Sequence, residues 1–333
     1  MRIILSLSFL LLLFSCSKPS PGSKEGYKAF TTEARCPITP IKDQGKSPSC
    51  WIYAMLATIE SNRIAMGDSV NLSAAYYERM LIAEQAEGVF MAQGKGNIKG
   101  RGMIPHLMTL IDRYGAFAES SYHHRNERGL NFNVLAREVQ LLARNAANGG
   151  RGLDAFRKDL NSLLDREMSF LPKRQFLLGA DYSPMEFGHS VAMLGDYEFL
   201  GADYAFPDRR ETDMIKSVEP DSLLMITEKS VRAGRAVCWE GDTSEPGYDW
   251  ANGVADIKNT NRHSILKNYR KDIENFKTTD DHCLEICGIA RDSAGKKYFI
   301  CKNSWGKSNR FKGFIMMSFD YFLAKTIVIG KLR

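Results

Sequence analysis

The sequence predicts an α+β chain built as two lobes, helical in its first part and mostly β in its last. Three observations carry this. From Cys50 to about Ala233, apolar residues recur at helical spacing between capping and stop signals. Over roughly the last hundred residues the apolar runs shorten and are bounded by turn residues. Finally, 333 residues that are 44% apolar and 25% charged can bury a full core, in one large two-lobed domain or in two domains.

In chain order, Met1-Arg2 is a short positive start, and Ile3 to Phe14 is an almost unbroken apolar run of signal-peptide length. Leu13 and Ser15 stand before Cys16 as in a lipobox, so residues 1–15 resemble a bacterial lipoprotein signal, although Phe14 is unusual at its position. Cys16 would then be lipidated and residues 16–35, with Lys18-Pro19-Ser20-Pro21-Gly22-Ser23, would form a flexible tether. The alternative is an ordinary secretory signal cleaved elsewhere. The expected place is the bacterial cell envelope, lipid-anchored, on the periplasmic or extracellular side. Nothing after residue 20 approaches the apolar length of a membrane span.

Ser49 can cap a helix that begins at Cys50, with Trp51, Ala54, Met55, Thr58 and Ile59 repeating at helical spacing and Gly67 as its stop. A second helix is expected from about Ser73 to Gln85, and a third from Ile104 to Tyr114 before Gly115. Between them the glycine-rich stretch Gly94–Gly102 lacks the residue order of a phosphate loop. Charged helical patterns follow at about Val134–Asn145 and Leu153–Met168, and Ser183-Pro184-Met185-Glu186 is a capping box with Pro in the first turn. Another helix is expected at about Ser222–Ala233. Ala236–Glu240, Cys283–Arg291, Tyr298–Asn303, Phe314–Ser318 and Thr326–Ile329 read as strands, the second and third joined by a turn at Asp292–Gly295. One domain over residues 36–333 is expected, with a helical lobe to about 120, a helical insertion to about 235 and a β lobe after it.

Several function classes drop out. Net charge is +6, but Lys and Arg are interleaved with Asp and Glu, and no basic stripe suggests nucleic acid. Apart from Cys16 and Cys50, the cysteines are Cys36, Cys238, Cys283, Cys287 and Cys301, an odd set that cannot pair fully. Their spacing suggests no metal, and no cofactor is implied. Cys283 and Cys287 are expected on one face of a strand, as small core residues. His123-His124 reads as a solvated loop, and His106, His189 and His263 have no partner nameable from sequence.

A different pattern is specific. A catalytic thiol needs a base that holds it as an ion pair, an orienter for that base and a donor for the oxyanion. Cys50 opens a helix, whose free N–H groups favour a thiolate. His282 starts a β run and Asn303 ends the next, so pairing those strands brings an imidazole and an amide together. Gln44 lies shortly before Cys50 and can aim its amide at an oxyanion near the sulfur. Each residue alone has an ordinary structural explanation; the combination, in order, does not.

The four blocks Thr39–Gly45 (T-P-I-K-D-Q-G), Ser49–Trp51 (S-C-W), Asp281-His282 (D-H) and Asn303–Gly306 (N-S-W-G) resemble those of the papain-like cysteine peptidases. The resemblance implies a papain-like fold with Cys50 as nucleophile, His282 as general base and acid, Asn303 as its orienter and Gln44 as oxyanion donor. It also implies that Trp305 shields the His–Asn bond, and that Gly102, Trp51 and Trp305 belong to the substrate-binding wall. Tyr182–Phe187, Ala236–Asp242 and the helical insertion are similar to the bleomycin hydrolase and aminopeptidase C branch. Departures are Ser47 and Pro48 in place of a half-cystine and a glycine, and Arg101 in place of a glycine, which would narrow or charge the cleft. The stretch between Cys16 and Cys36 is also too short for the inhibitory pro-domain of many relatives. The branch's C-terminal arm is missing, because Ile329 closes the last strand pattern and Gly330–Arg333 reaches at most about 14 Å. Hydrolysis of peptide or protein substrates is implied, with endopeptidase action expected from the missing arm. An aminopeptidase, an acyl transferase using the same thioester, or a silent binding module are the alternatives. The expected membrane contact is the lipid on Cys16, and oligomeric state stays open.

Overall fold

The computed structural model describes residues 29–125, 130–192, 194–202, 213–258 and 260–333. The signal, Cys16 and most of the tether lie outside them. Strand β1 (Phe30–Arg35) precedes the helices α1 (Cys50–Ala65), α2 (Ala74–Met91), α3 (Ile104–Tyr114), α4 (Phe132–Asn148) and α5 (Leu153–Glu167). The short strands β2 (Gln175–Leu177) and β3 (Ala180–Tyr182) lead into α6 (Pro184–Val191), then β4 (Tyr197–Gly201), β5 (Ile215–Ser217) and α7 (Pro220–Arg232). Strands β6 (Val237–Gly241), β7 (Tyr248–Asp249) and β8 (Val254–Ala255) come next, followed by α8 (Arg262–Glu274). Strands β9 (His282–Asp292), β10 (Lys297–Lys302) and β11 (Phe314–Ser318), helix α9 (Phe319–Lys325) and strand β12 (Thr326–Leu332) complete the chain.

Helix α1 lies between two hydrophobic cores, and every residue from Trp51 to Asn62 is buried. That explains why it carries apolar residues on all sides rather than one stripe. On one side α1 packs with α2 to α6 in a helical lobe. Ser73 caps α2 by accepting from the Tyr76 N–H at 3.1 Å. This helix runs past the expected Gln85 because Gly88 is tolerated inside it, Val89 still packs in the core, and the chain turns only at Gly94. Phe156 of α5 stacks on Phe90 of α2 with centroids 4.7 Å apart, so α4 and α5 cover the outside of α2. The capping box of α6 is present, with the Glu186 carboxylate accepting from the Ser183 N–H at 2.7 Å. Gly115 lets the end of α3 reach α6: a Cβ there would stand 2.1 Å from the Pro184 carbonyl oxygen.

On the other side the described residues form a ten-stranded sheet in the order β5-β4-β12-β6-β9-β10-β11-β8-β7, with β1 also paired to β9. The long strand β9 is its axis: β6 pairs with its first half, β1 with its second, and β10 with its other edge. The described part of the stretch from 121 to 235 divides between the two cores. Helices α4 to α6 join the helical core, while β4 and α7 pack with the sheet. The sequence left β1, β2, β3, β4, β5, β7, β8, α8 and α9 unrecognised, because they are short or, as in Arg262–Glu274, dominated by charge.

Two expectations change. Strand β12 continues beyond Ile329 to Leu332, held by β4 pairing and by a Lys331–Glu198 ion pair at 2.7 Å. Cys283 and Cys287 do not share a face. The β9–β10 register shifts opposite Cys287, with Ile300 facing Gly288 and Cys301 facing Ile286. This bulge breaks the alternation. Cys283 consequently packs in the helical core and Cys287 in the β core.

Candidate active site

Cys50 sits at the first position of α1, partly exposed, where the helix still has unpaired N–H groups. Ser49 precedes the helix but, against the expectation from sequence, does not cap it with its side chain. Its hydroxyl instead bonds the buried Glu78 carboxylate and the Ser47 hydroxyl, while its carbonyl accepts from the Ile52 N–H at 2.9 Å. Glu78 in turn pairs with His124 Nε2 at 2.7 Å, so His124 is a half-buried partner rather than a solvated loop residue. Ser47, which stands where relatives have a half-cystine, thus helps to anchor the turn that presents Cys50.

The β lobe brings the remaining groups. His282 opens β9 and is 4% exposed. Its Nε2 lies 2.9 Å from Asn303 Oδ1, which leaves Nδ1 for the Cys50 sulfur. Asn303 Oδ1 also accepts from the Ser304 N–H at 2.7 Å, and its Nδ2 donates to the Tyr248 hydroxyl at 3.0 Å. Three bonds therefore fix which end of the amide faces the imidazole. The Trp305 ring lies 4.4 Å from the His282 ring, and Trp250 and Tyr248 pack edge-on against Trp305. These aromatic groups keep water from the His–Asn bond. Sequence reasoning missed Tyr248 and Trp250; their only signal was two aromatic residues close together in a turn-rich segment.

Gln44 is tied to both lobes. Its Oε1 accepts from the Ser304 hydroxyl at 2.6 Å, and one Nε2 hydrogen is given to the Ser47 carbonyl at 2.6 Å. An amide has two such hydrogens, so the second remains for a developing oxyanion. The main chain joins the same blocks, with the Gln44 N–H donating to the Ser304 carbonyl at 2.8 Å and a bridge between Asp43 and Trp305.

Electrostatics follow the geometry. A hydrogen bond from the Cys283 thiol, then the bond and positive charge of His282, hold Cys50 well below the usual thiol range despite its burial. Burial opposes the charge on His282, but the bond and charge of Cys50, and the Asn303 carbonyl, raise it above its ordinary value. A thiolate–imidazolium pair is the favoured form. The six described cysteines, Cys36, Cys50, Cys238, Cys283, Cys287 and Cys301, are all free thiols.

The cleft wall beside the nucleophile is close-packed. Trp51 has no exposed surface; its indole N–H donates to the Gly100 carbonyl at 2.9 Å and His106 stacks on its ring. It therefore supports the wall from behind. Gly102 forms the surface of that wall, and a Cβ there would stand 2.9 Å from the Trp51 ring. Arg101 reaches across to the β lobe, its Nη2 donating to Asp280 Oδ1 at 2.6 Å and to the Asp280 carbonyl at 3.1 Å. Below it, burial holds the Glu240 carboxyl well above its usual range.

The structure thus gathers Cys50, His282, Asn303, Gln44, Trp305 and Gly102 at one cleft between the lobes. Cys16 falls outside the described residues. The model of the papain family cysteine protease matches residues 251–326. Zingipain-2 of Zingiber officinale is 27% identical over 94 residues, which are 28% of this chain and 38% of that protein, so the match spans well under half of the relative's length. The crystal structure of PepW from Lactobacillus rhamnosis HN001 superposes with a TM-score of 0.67 at 16% identity, covering 91% of this chain and 82% of that one. The chain is thus similar to the papain family of cysteine proteases over residues 251–326, and its two-lobed α+β fold is that of PepW.

Proposed function

We propose that the chain hydrolyses peptide bonds through a thioester on Cys50. The observation that supports this most is the His282–Asn303 bond at 2.9 Å beside a thiolate at a helix start, with a held amide donor opposite. Cys50 Sγ attacks the peptide carbonyl carbon, and the resulting oxyanion takes hydrogen bonds from Gln44 Nε2 and the Cys50 N–H. His282 gives its proton to the amine nitrogen as the C–N bond breaks. A water molecule then attacks the thioester, His282 takes its proton, and Cys50 leaves as the thiolate.

Endopeptidase action is the reading the fold supports better. Strand β12 starts beside the site, where Thr326 faces Gly241 and Gly241 faces His282. It then runs away along the sheet, so Leu332 lies about 20 Å from that end, and the Arg333 carbonyl is held by Arg235. Residues 326–333 therefore lie along the sheet and outside the cleft. The Arg101–Asp280 pair favours a second reading, in which the cleft is shortened on the Gly102 side and only free amines are accepted. A matched pair of dipeptidyl substrates, acetylated and free, separates them. Cleavage of the acetylated form at an equal or higher rate is expected, and cleavage of the free form alone overturns the endopeptidase reading. Labelling of Cys50 by a peptidyl epoxide tests the enzyme against a silent binding module.

We also propose that a lipid on Cys16 tethers the enzyme in the bacterial cell envelope, on the strength of Ile3–Phe14 and the lipobox-like Leu13–Cys16. Cys16→Ser should move the protein to the soluble fraction. Persistence in the membrane pellet would rule the lipid out.

A further inference from the structure

Glu78 of α2 is a carboxylate with no exposed surface, and no step of the hydrolysis uses it. A buried charge is costly unless its neighbours hold it, and one of those neighbours leads straight to the nucleophile. Its Oε1 accepts from the hydroxyl of Ser49, the residue before Cys50. Its Oε2 forms an ion pair with His124 Nε2 at 2.7 Å, and the Tyr53 hydroxyl of α1 stands 3.3 Å from the same nitrogen.

Counting hydroxyl hydrogens gives this chain of bonds a direction. Ser49 has one such hydrogen, and a carboxylate only accepts, so that hydrogen belongs to Glu78. Ser49 Oγ and Ser47 Oγ are 2.7 Å apart, and the hydrogen between them is therefore the one on Ser47. Ser47 is also held through its main chain. Its N–H donates to the Gln44 carbonyl at 3.2 Å, and its own carbonyl accepts from Gln44 Nε2 at 2.6 Å. Gln44, Ser47 and Ser49 are all buried. The bonds thus run without a gap from a carboxylate fixed in α2 to the amide that serves as oxyanion donor.

We propose that Glu78 is a positioning residue for Gln44, acting through Ser49 and Ser47 to keep the second Nε2 hydrogen aimed at the oxyanion; this rests on the peptidase reading of the cleft. The turn needs such an anchor. Ser47 stands where relatives have a half-cystine, and the six described cysteines are free, so among the described residues no disulfide ties the turn to the helical lobe. Ser304 of the β lobe fixes the other end of the Gln44 amide, at Oε1. Each lobe therefore sets one end of that amide, and Glu78 governs the end that carries the hydrogens. Without its acceptor, the Ser49 hydrogen turns to Ser47 Oγ and the Ser47 hydrogen loses its place. The Ser47 carbonyl then drifts, and Gln44 Nε2 drifts with it.

A peptide aldehyde tests this by binding, without turnover, so its failure is separable from failure of the peptidase reading. The Cys50 sulfur adds to the aldehyde carbon, and the former carbonyl oxygen of the hemithioacetal takes the place of the oxyanion. Ser49→Ala, which cuts the chain, and Glu78→Met, which keeps the side chain's length but not its acceptor, should each weaken aldehyde binding about tenfold, part of the effect of losing a whole donor. Alkylation of Cys50 by iodoacetamide needs a thiolate but no oxyanion donor, and should keep its wild-type rate in both. Glu78→Gln still offers Ser49 an acceptor and should bind the aldehyde as the wild type does. Wild-type aldehyde affinity in Ser49→Ala, or alkylation slowed by the same factor as binding is weakened, would overturn the proposal. If Glu78→Met does not fold, Ser49→Ala against the wild type decides alone.

Discussion

The two lobes supply halves of one site by different physical means. The helical lobe presents Cys50 through a local device, a helix start anchored by the Ser47–Ser49–Glu78–His124 chain of bonds. The β lobe presents His282 and Asn303 through sheet register, where β9 and β10 part after the Lys302–Glu285 pair and the loop beyond folds the amide back. A helix end makes a reactive group from its own backbone; a sheet only aims side chains that other groups must hold. The β half accordingly carries more supports: Tyr248, Trp250, Trp305 and the Ser304 N–H all bear on the His–Asn pair. Ser304 is where the halves meet, since its N–H holds Asn303 and its hydroxyl holds Gln44.

Removing the helical lobe's reactive atom should have the largest effect. Cys50→Ala is expected to lower kcat by about 10⁶-fold, as loss of a protease nucleophile does, with thermal unfolding nearly unchanged. Activity near wild type would remove Cys50 from the chemistry. Next comes the donor that spans both lobes. Gln44→Ala should lower kcat by about 10²–10³-fold with a smaller change in KM, because the oxyanion exists only along the reaction path. An effect confined to KM would show that Gln44 binds the ground state instead.

The pH profile divides the comparison between the two halves. Activity needs Cys50 deprotonated and His282 protonated. It falls toward acid through the lowered thiol value and toward alkali through the raised imidazole value, about tenfold per unit on each limb. Cys283→Ala should shift the acid limb upward, since its thiol bond is the main support of the thiolate. Asn303→Ala should shift the alkaline limb downward. Limbs that stay in place in both variants would show that these contacts do not tune the pair. The smallest effect belongs to the joint. Ser304→Ala removes one hydrogen bond to Gln44, worth about 1 kcal/mol, and should cost about fivefold in kcat while leaving Cys50 alkylation by iodoacetamide unchanged. Slowed alkylation would mean that Ser304 acts through His282.

The chemistry-bearing residues were legible because each is announced by its neighbours along the chain. Ser49 and the apolar run after Cys50 mark a helix start, and the Asp292–Gly295 turn pairs the strands that carry His282 and Asn303. Helix α3 and strand β11 fall on the residues their patterns predicted, since Gly115 and the short apolar run of Phe314–Ser318 are local signals. The supports were not legible. Tyr248 finds Asn303 across 55 residues of chain, and Ser304 finds Gln44 across 260. No periodicity encodes such contacts.

By itself, then, the sequence determined an α+β chain whose Cys, His, Asn and Gln stand in an order that specifies a thiol site, because helix starts, turns and strand alternation act over a few residues. Only the tertiary structure decided what surrounds that site. The bulge opposite Cys287 places Cys283 and Cys287 in different cores, where the strand pattern alone had put them on one face. The same folding sets Cys283 beside α1 in the helical core, pairs His124 with Glu78 and throws Arg101 across to Asp280. These outcomes depend on register and on packing between lobes, and a one-residue shift in either exchanges which side chains meet.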